Sequence, residues 1–191
     1  MINRDLAGVL QHKSDSKILI LDSNNVQFYY QHRNLLPVTH IFDPYDVVII
    51  PGWVYREFSH HEGKDTYVRY DIPATKLFLD EDNDYLPLLD YSDKKLMELF
   101  AASSTSAESY RFFSQMKKLQ VEDYPDHWIA EFYNNGFPMQ QDGSKLTRKN
   151  AGEISITTLV FSLLSYFQGS IASLSLASSD NLSRSNKYIA P

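Results

Sequence analysis

Four carboxylates stand out by position in the 191-residue chain. Asp22 closes the apolar run KILILD at 17–22, and Glu57 follows the run DVVIIP at 46–51. Glu153 opens the stretch with the strongest helical periodicity, and Asp180 follows a third apolar run at 171–177. Four carboxylates gathered in one pocket repel one another, and some would take up protons unless cations relieve the field. Hard divalent ions, Mg²⁺ or Mn²⁺, suit such oxygen ligands. Two such ions could activate water and stabilise a leaving oxygen in phosphodiester hydrolysis.

The elements that would position these acids can be read from the pattern. Residues 17–22 and 46–51 read as short strands buried on both faces. Each is followed by a helical stretch, at 26–33 and 53–61. Strand, helix, strand, helix points to a parallel sheet covered by helices. Residues 92–102, 106–119 and 125–134 read as helices. Tyr110, Phe113, Met116 and Lys117 would share one face of the second. Residues 66–91 read as irregular and 135–150 as a polar, basic loop. Residues 151–167 form the strongest helix, with Ile156, Leu159, Val160, Leu163, Leu164 and Phe167 at i, i+3, i+4 spacing. Residues 171–177 read as a third strand. In a parallel α/β sheet, strand C-termini and the helix N-termini after them share one edge. Asp22 and Asp180 would then stand side by side if their strands are neighbours.

Taken singly, each acid has an ordinary structural role. Asp22 and Asp180 suit helix caps, Glu153 suits the positive end of a helix dipole, and Glu57 suits solvent. The signal is their joint placement.

The motifs resemble the PIN domain family. The family opens with a strand ending in Asp, then Thr or Ser, then Asn; here ILILDSNN supplies Asp22, Ser23 and Asn24. Pro51, Val54 and Glu57 match the spacing of its second motif. Ala151-Gly152-Glu153-Ile154-Ser155 is similar to its third, and Ser178-Ser179-Asp180-Asn181 to its fourth. The resemblance covers 17–61 and 150–182. It implies a three-layer α/β fold with a mainly parallel central sheet and helices on both faces. It implies one domain over 1–191, with a largely helical insertion at about 62–150. The family usually adds a helix and strand after the fourth acid, which implies either a C-terminally incomplete chain or loss of that last strand.

The activity implied is that of a divalent-metal-dependent endoribonuclease, often the toxin of a toxin–antitoxin pair. Asp22, Glu57, Glu153 and Asp180 would bind Mg²⁺ or Mn²⁺, with Asn24 and Ser179 as supporting polar groups. Lys145, Arg148 and Lys149, just before Glu153, and Arg184, after Asp180, would hold RNA phosphates. RNA would be the substrate, with an antitoxin or other protein as partner and a homodimer as a further arrangement. Two alternatives stay open: a non-catalytic PIN-like protein-binding module, and a metal-dependent DNA nuclease.

Composition narrows the classes. The chain has no Cys, which excludes disulfides, thiolate metal sites and Cys nucleophiles. A net charge of −6 argues against a generic nucleic-acid coater, whose affinity rests on Lys and Arg. The 26 uncharged residues from Ile154 to Ser179 are long enough for a bilayer, but ten are Ser or Thr. They read better as helix, turn and strand, and the N-terminus lacks a signal-peptide core. The expected location is the cytoplasm. The run Asp80-Glu81-Asp82-Asn83-Asp84 lacks the Gly and Glu of a calcium loop and reads as a solvated acidic loop. Tyr67, Tyr70, Phe78, Tyr85 and Tyr91 read as core or as a protein-binding surface, with base stacking as the alternative.

Overall fold

The computed structural model describes residues 17–142, 145–167 and 173–177. It is a mixed α/β structure with a four-stranded, all-parallel central sheet in the order β3-β2-β1-β6. The strands are β1 (Lys17–Leu21), β2 (Val47–Pro51), β3 (Thr75–Leu79) and β6 (Ser173–Ala177). Between them in sequence lies an antiparallel hairpin of β4 (Met139–Asp142) and β5 (Lys145–Arg148).

Burial follows the strand order. Ile18 to Leu21 of β1 and all of β2 are buried, as expected for interior strands of a parallel sheet. β3 alternates, with Leu77 and Leu79 buried and Thr75 exposed, which suits one end of the sheet. β1 pairs with β2 from Ile18↔Val47 to Ile20↔Ile49, and with β6 from Lys17↔Ser173 to Leu21↔Ala177.

The helices are α1 (Ser23–Gln31), α2 (Val38–Phe42), α3 (Gly52–Phe58), α4 (Glu62–Thr66), α5 (Glu81–Asp84), α6 (Asp93–Ser103), α7 (Ala107–Met116), α8 (Trp128–Asn135) and α9 (Ala151–Phe167). Several begin at side-chain caps, as the orphan amides of a first turn require. Asp22 caps α1, Asp80 caps α5, Ser92 caps α6 and Ser106 caps α7. Tyr67–Asp71 forms a π-helical turn. Among the described residues, no helix is long and apolar enough to cross a membrane.

The chain divides into two compact units. The first comprises residues up to Ile50, Val54–Phe78 and the chain from Phe167 onward; the second comprises Pro51–Trp53 and Leu79–Tyr166. Aromatic contacts in the first unit include Tyr55 with Phe78, ring centroids 5.2 Å apart, and Tyr29 with Phe42 at 5.7 Å. The second unit centres on Phe132, which no solvent reaches and whose ring lies 4.5 Å from Phe113 and 4.7 Å from Phe137.

The structure corrects several expectations. Residues 66–91 are not irregular: they contain the π turn, β3, α5 and a 3₁₀ turn at Leu86–Leu89. The polar, basic loop at 135–150 contains the β4–β5 hairpin. Tyr110 is exposed, and the buried face of α7 is Ser109, Phe113 and Met116. The Ser109 hydroxyl can occupy that face because it donates to the Gly136 carbonyl at 2.5 Å. Tyr67 and Tyr85 are core residues, whereas Tyr70 and Tyr91 are exposed.

Candidate functional site

β1 delivers Asp22 directly. The strand ends at Leu21, and Asp22 turns the chain into α1 with extended backbone angles and only 5% exposure. Its Oδ1 accepts the Ser23 amide at 2.7 Å. A carboxylate is favoured here because the first turn of a helix presents unpaired N–H groups and the positive end of the dipole.

Ser23 also reaches the second acid. Its hydroxyl donates to Glu57 Oε2. Glu57 is half-buried in α3, the helix that follows β2. The two acids are therefore joined through one residue, whose amide serves Asp22 and whose hydroxyl serves Glu57. Both lie in the first unit.

Asp22 also stands at the reversal of strand order. The chain builds β2 and β3 outward on one side of β1, then returns to place β6 on the other. The last residues of β1 and β6, Leu21 and Ala177, are register partners. Strand C-termini at such a reversal are where open α/β sheets bind ligands.

The other expected residues fare differently. Glu153 lies in the first turn of α9, in the second unit, and is half-buried. Asp180, Ser179 and Arg184 lie outside the described residues. Asn24 is exposed on α1, whereas the next residue, Asn25, has a buried side-chain amide nitrogen with no hydrogen-bond partner. Of the basic residues, Lys145 belongs to β5 and Lys149 is exposed. Arg148 is occupied structurally: its guanidinium lies 4.3 Å over the Tyr133 ring and donates to Asn134 Oδ1 at 2.9 Å. Among the described residues, no group of three or more His, Asp or Glu is arranged to hold a metal ion.

One strongly perturbed carboxyl group is one the sequence pattern did not single out. Glu81 is 1% exposed, not part of a solvated acidic loop. Its Oε1 accepts the Trp53 amide at 2.8 Å and the Ser155 hydroxyl at 2.6 Å. The Tyr85 hydroxyl lies 2.8 Å from Ser155 Oγ, extending the chain of bonds. Oε2 has no partner. Burial, outweighing the Ser155 hydroxyl and the Trp53 and Glu81 amides, pushes the Glu81 carboxyl up to about 7. Glu81 is the first residue of α5, just past the Asp80 cap, so the alternation of β3 does not extend to it and its burial follows from the turn into the helix.

No protein-family model, curated protein or solved structure matches the chain.

Proposed function

We propose that this protein is a divalent-metal-dependent endoribonuclease of PIN-like architecture, with Asp22 and Glu57 at the heart of its metal site. The observation that carries the reading is the Asp22–Ser23–Glu57 linkage at the C-terminal edge of the parallel sheet. The donor set is chemically suitable, since two carboxylates and a hydroxyl are the oxygen ligands Mg²⁺ and Mn²⁺ favour. Asp22 and Glu57 would hold the ion. When bound, such an ion polarises a phosphoryl oxygen and lowers the pKa of coordinated water.

The chain's own groups have definable tasks in this reading. The α1 amides and the Ser23 hydroxyl keep both carboxylates oriented before any ligand arrives. Asp22, almost fully buried, loses little orientation to solvent. The metal would also supply the positive charge that a protein of net charge −6 needs to approach a polyanion.

The test is a cleavage panel of single-stranded RNA, structured RNA and flap-like DNA, run with Mn²⁺ and with EDTA. Metal-dependent RNA cleavage that Asp22→Asn abolishes is the expected result. Cleavage of DNA alone would reassign the substrate. No cleavage of any member would point to a non-catalytic binding module.

A further inference from the structure

Glu81 combines three features that do not normally occur together. It is nearly inaccessible, one carboxyl oxygen carries two donors, and the other carries none. That division matches a neutral carboxylic acid. Oε1 behaves as the carbonyl, with both lone pairs filled by the Trp53 amide and the Ser155 hydroxyl. Oε2 is then the hydroxyl. If the group were ionised, Oε2 would carry charge in a dry site with no donor, which is far more costly than an unpaired hydroxyl.

The surroundings offer the ionised form little help. On and beside α5, Asp80, Asp82 and Asp84 bear the same charge, and Asp80 raises the Glu81 pKa further. The facing group just before the 3₁₀ turn is the Tyr85 phenol, and from α9 it is the Ser155 hydroxyl. α9 also carries the half-buried Glu153, and α8 carries the exposed Glu131. α3 presents its Trp53 amide and carries the exposed Arg56 and half-buried Glu57 further along. Gly52 closes the remaining side: an added Cβ there would lie 2.6 Å from Oε2 and 3.0 Å from the Leu79 carbonyl oxygen.

We propose that Glu81 is a proton-dependent clamp: protonated, it stays buried and ties the Trp53 amide at the start of α3 to Ser155 in the first turns of α9, whereas loss of the proton puts charge on the undonated Oε2, and the cost of burying that charge, which outweighs the stronger bonds to Oε1, opens the tie to water. All of these groups lie in the second unit. Glu81 is thus a positioning residue for two helix starts. The same two helices carry Glu57 and Glu153. The clamp itself does not rest on the metal-dependent reading and is tested without it.

The experiment is a ¹³C NMR titration of the side-chain carboxyl of Glu81 in the full chain from pH 4.5 to 8.5. It is joined by the exchange protection factor of the Trp53 amide, corrected for intrinsic exchange. The expected result is a midpoint near neutrality and a Trp53 protection factor that falls at least several-fold across it. Ser155→Ala removes one donor to Oε1 and should move the midpoint upward. Glu81→Gln, if it folds, should abolish the pH dependence of Trp53 protection. A Glu81 midpoint in the ordinary carboxylate range overturns the proposal. So does a near-neutral midpoint with unchanged Trp53 protection.

Discussion

Ser23 and Glu57 lie 34 residues apart in sequence, yet the Ser23 hydroxyl donates to the Glu57 carboxylate while its own amide donates to Asp22. One small side chain thus couples the end of β1 to the helix that follows β2. Ser23→Ala keeps the amide bond to Asp22 and removes the hydroxyl bond to Glu57. A hydrogen bond to a charged, half-buried partner is worth about 1–3 kcal/mol. Urea denaturation should show a loss of that size with an unchanged m value.

The Glu81 contribution to stability should fall as pH rises from about 4.5 to about 7, and the sign follows from its raised pKa. The folded protein keeps this proton up to about 7, whereas an unperturbed carboxyl releases it near 4.5. Between these values the folded state binds more protons than the unfolded state, so raising pH favours unfolding. The contribution is fully present below the lower value and lost above the upper one. It is on the order of 3 kcal/mol. Urea midpoints at pH 5 and pH 8 should differ in wild type, and the difference should shrink in Glu81→Gln.

Gly52→Ala should destabilise the second unit. Its Cβ would meet Glu81 Oε2 at 2.6 Å and the Leu79 carbonyl at 3.0 Å, and the carbonyl belongs to a strand. Overpacking of this kind costs about 1–3 kcal/mol. Calorimetry of Gly52→Ala should show a lower melting temperature than wild type.

Phe132→Ala should be more severe. Phe132 is fully buried, and its ring contacts Trp53, Phe100, Phe112, Phe113 and Phe137. Removing such a ring leaves a cavity and costs about 3–5 kcal/mol. Equilibrium unfolding by guanidinium measures it directly.

Much of the sheet was legible because its interior strands are unbroken apolar runs. Lys17–Leu21 and Val47–Pro51 need no partner information to be recognised. Thr75–Leu79 escaped notice because only every second residue is buried, and acidic residues follow it at once. The β4–β5 hairpin was hidden by its composition: Gln140, Gln141, Lys145 and Thr147 look like a loop. α9 was readable from its leucines, yet its buried face also holds Ser155, Thr158 and Ser162. Those hydroxyls are tolerated because each finds a partner: Glu81, Ser103 and the Thr158 carbonyl. At the candidate site, Asp22 and Glu57 could be named from their places after strands. The Ser23 link could not, since it depends on how α1 and α3 face each other. Glu81 was masked by its acidic neighbours, and its burial depends on the turn from β3 into α5.

The central claim is a divalent ion at Asp22 and Glu57, and thermal melting tests it most directly. Wild type and Asp22→Asn are each melted with EDTA and with millimolar Mn²⁺. Asn is also a good helix cap, so the variant should melt close to wild type in EDTA. A ligand that binds only the folded state, at a hundredfold excess over its Kd, should raise the wild-type melting temperature by about 5–10 °C. The expected result is such a rise in wild type and its loss in Asp22→Asn. An equal rise in both proteins, or none in wild type, would contradict the claim.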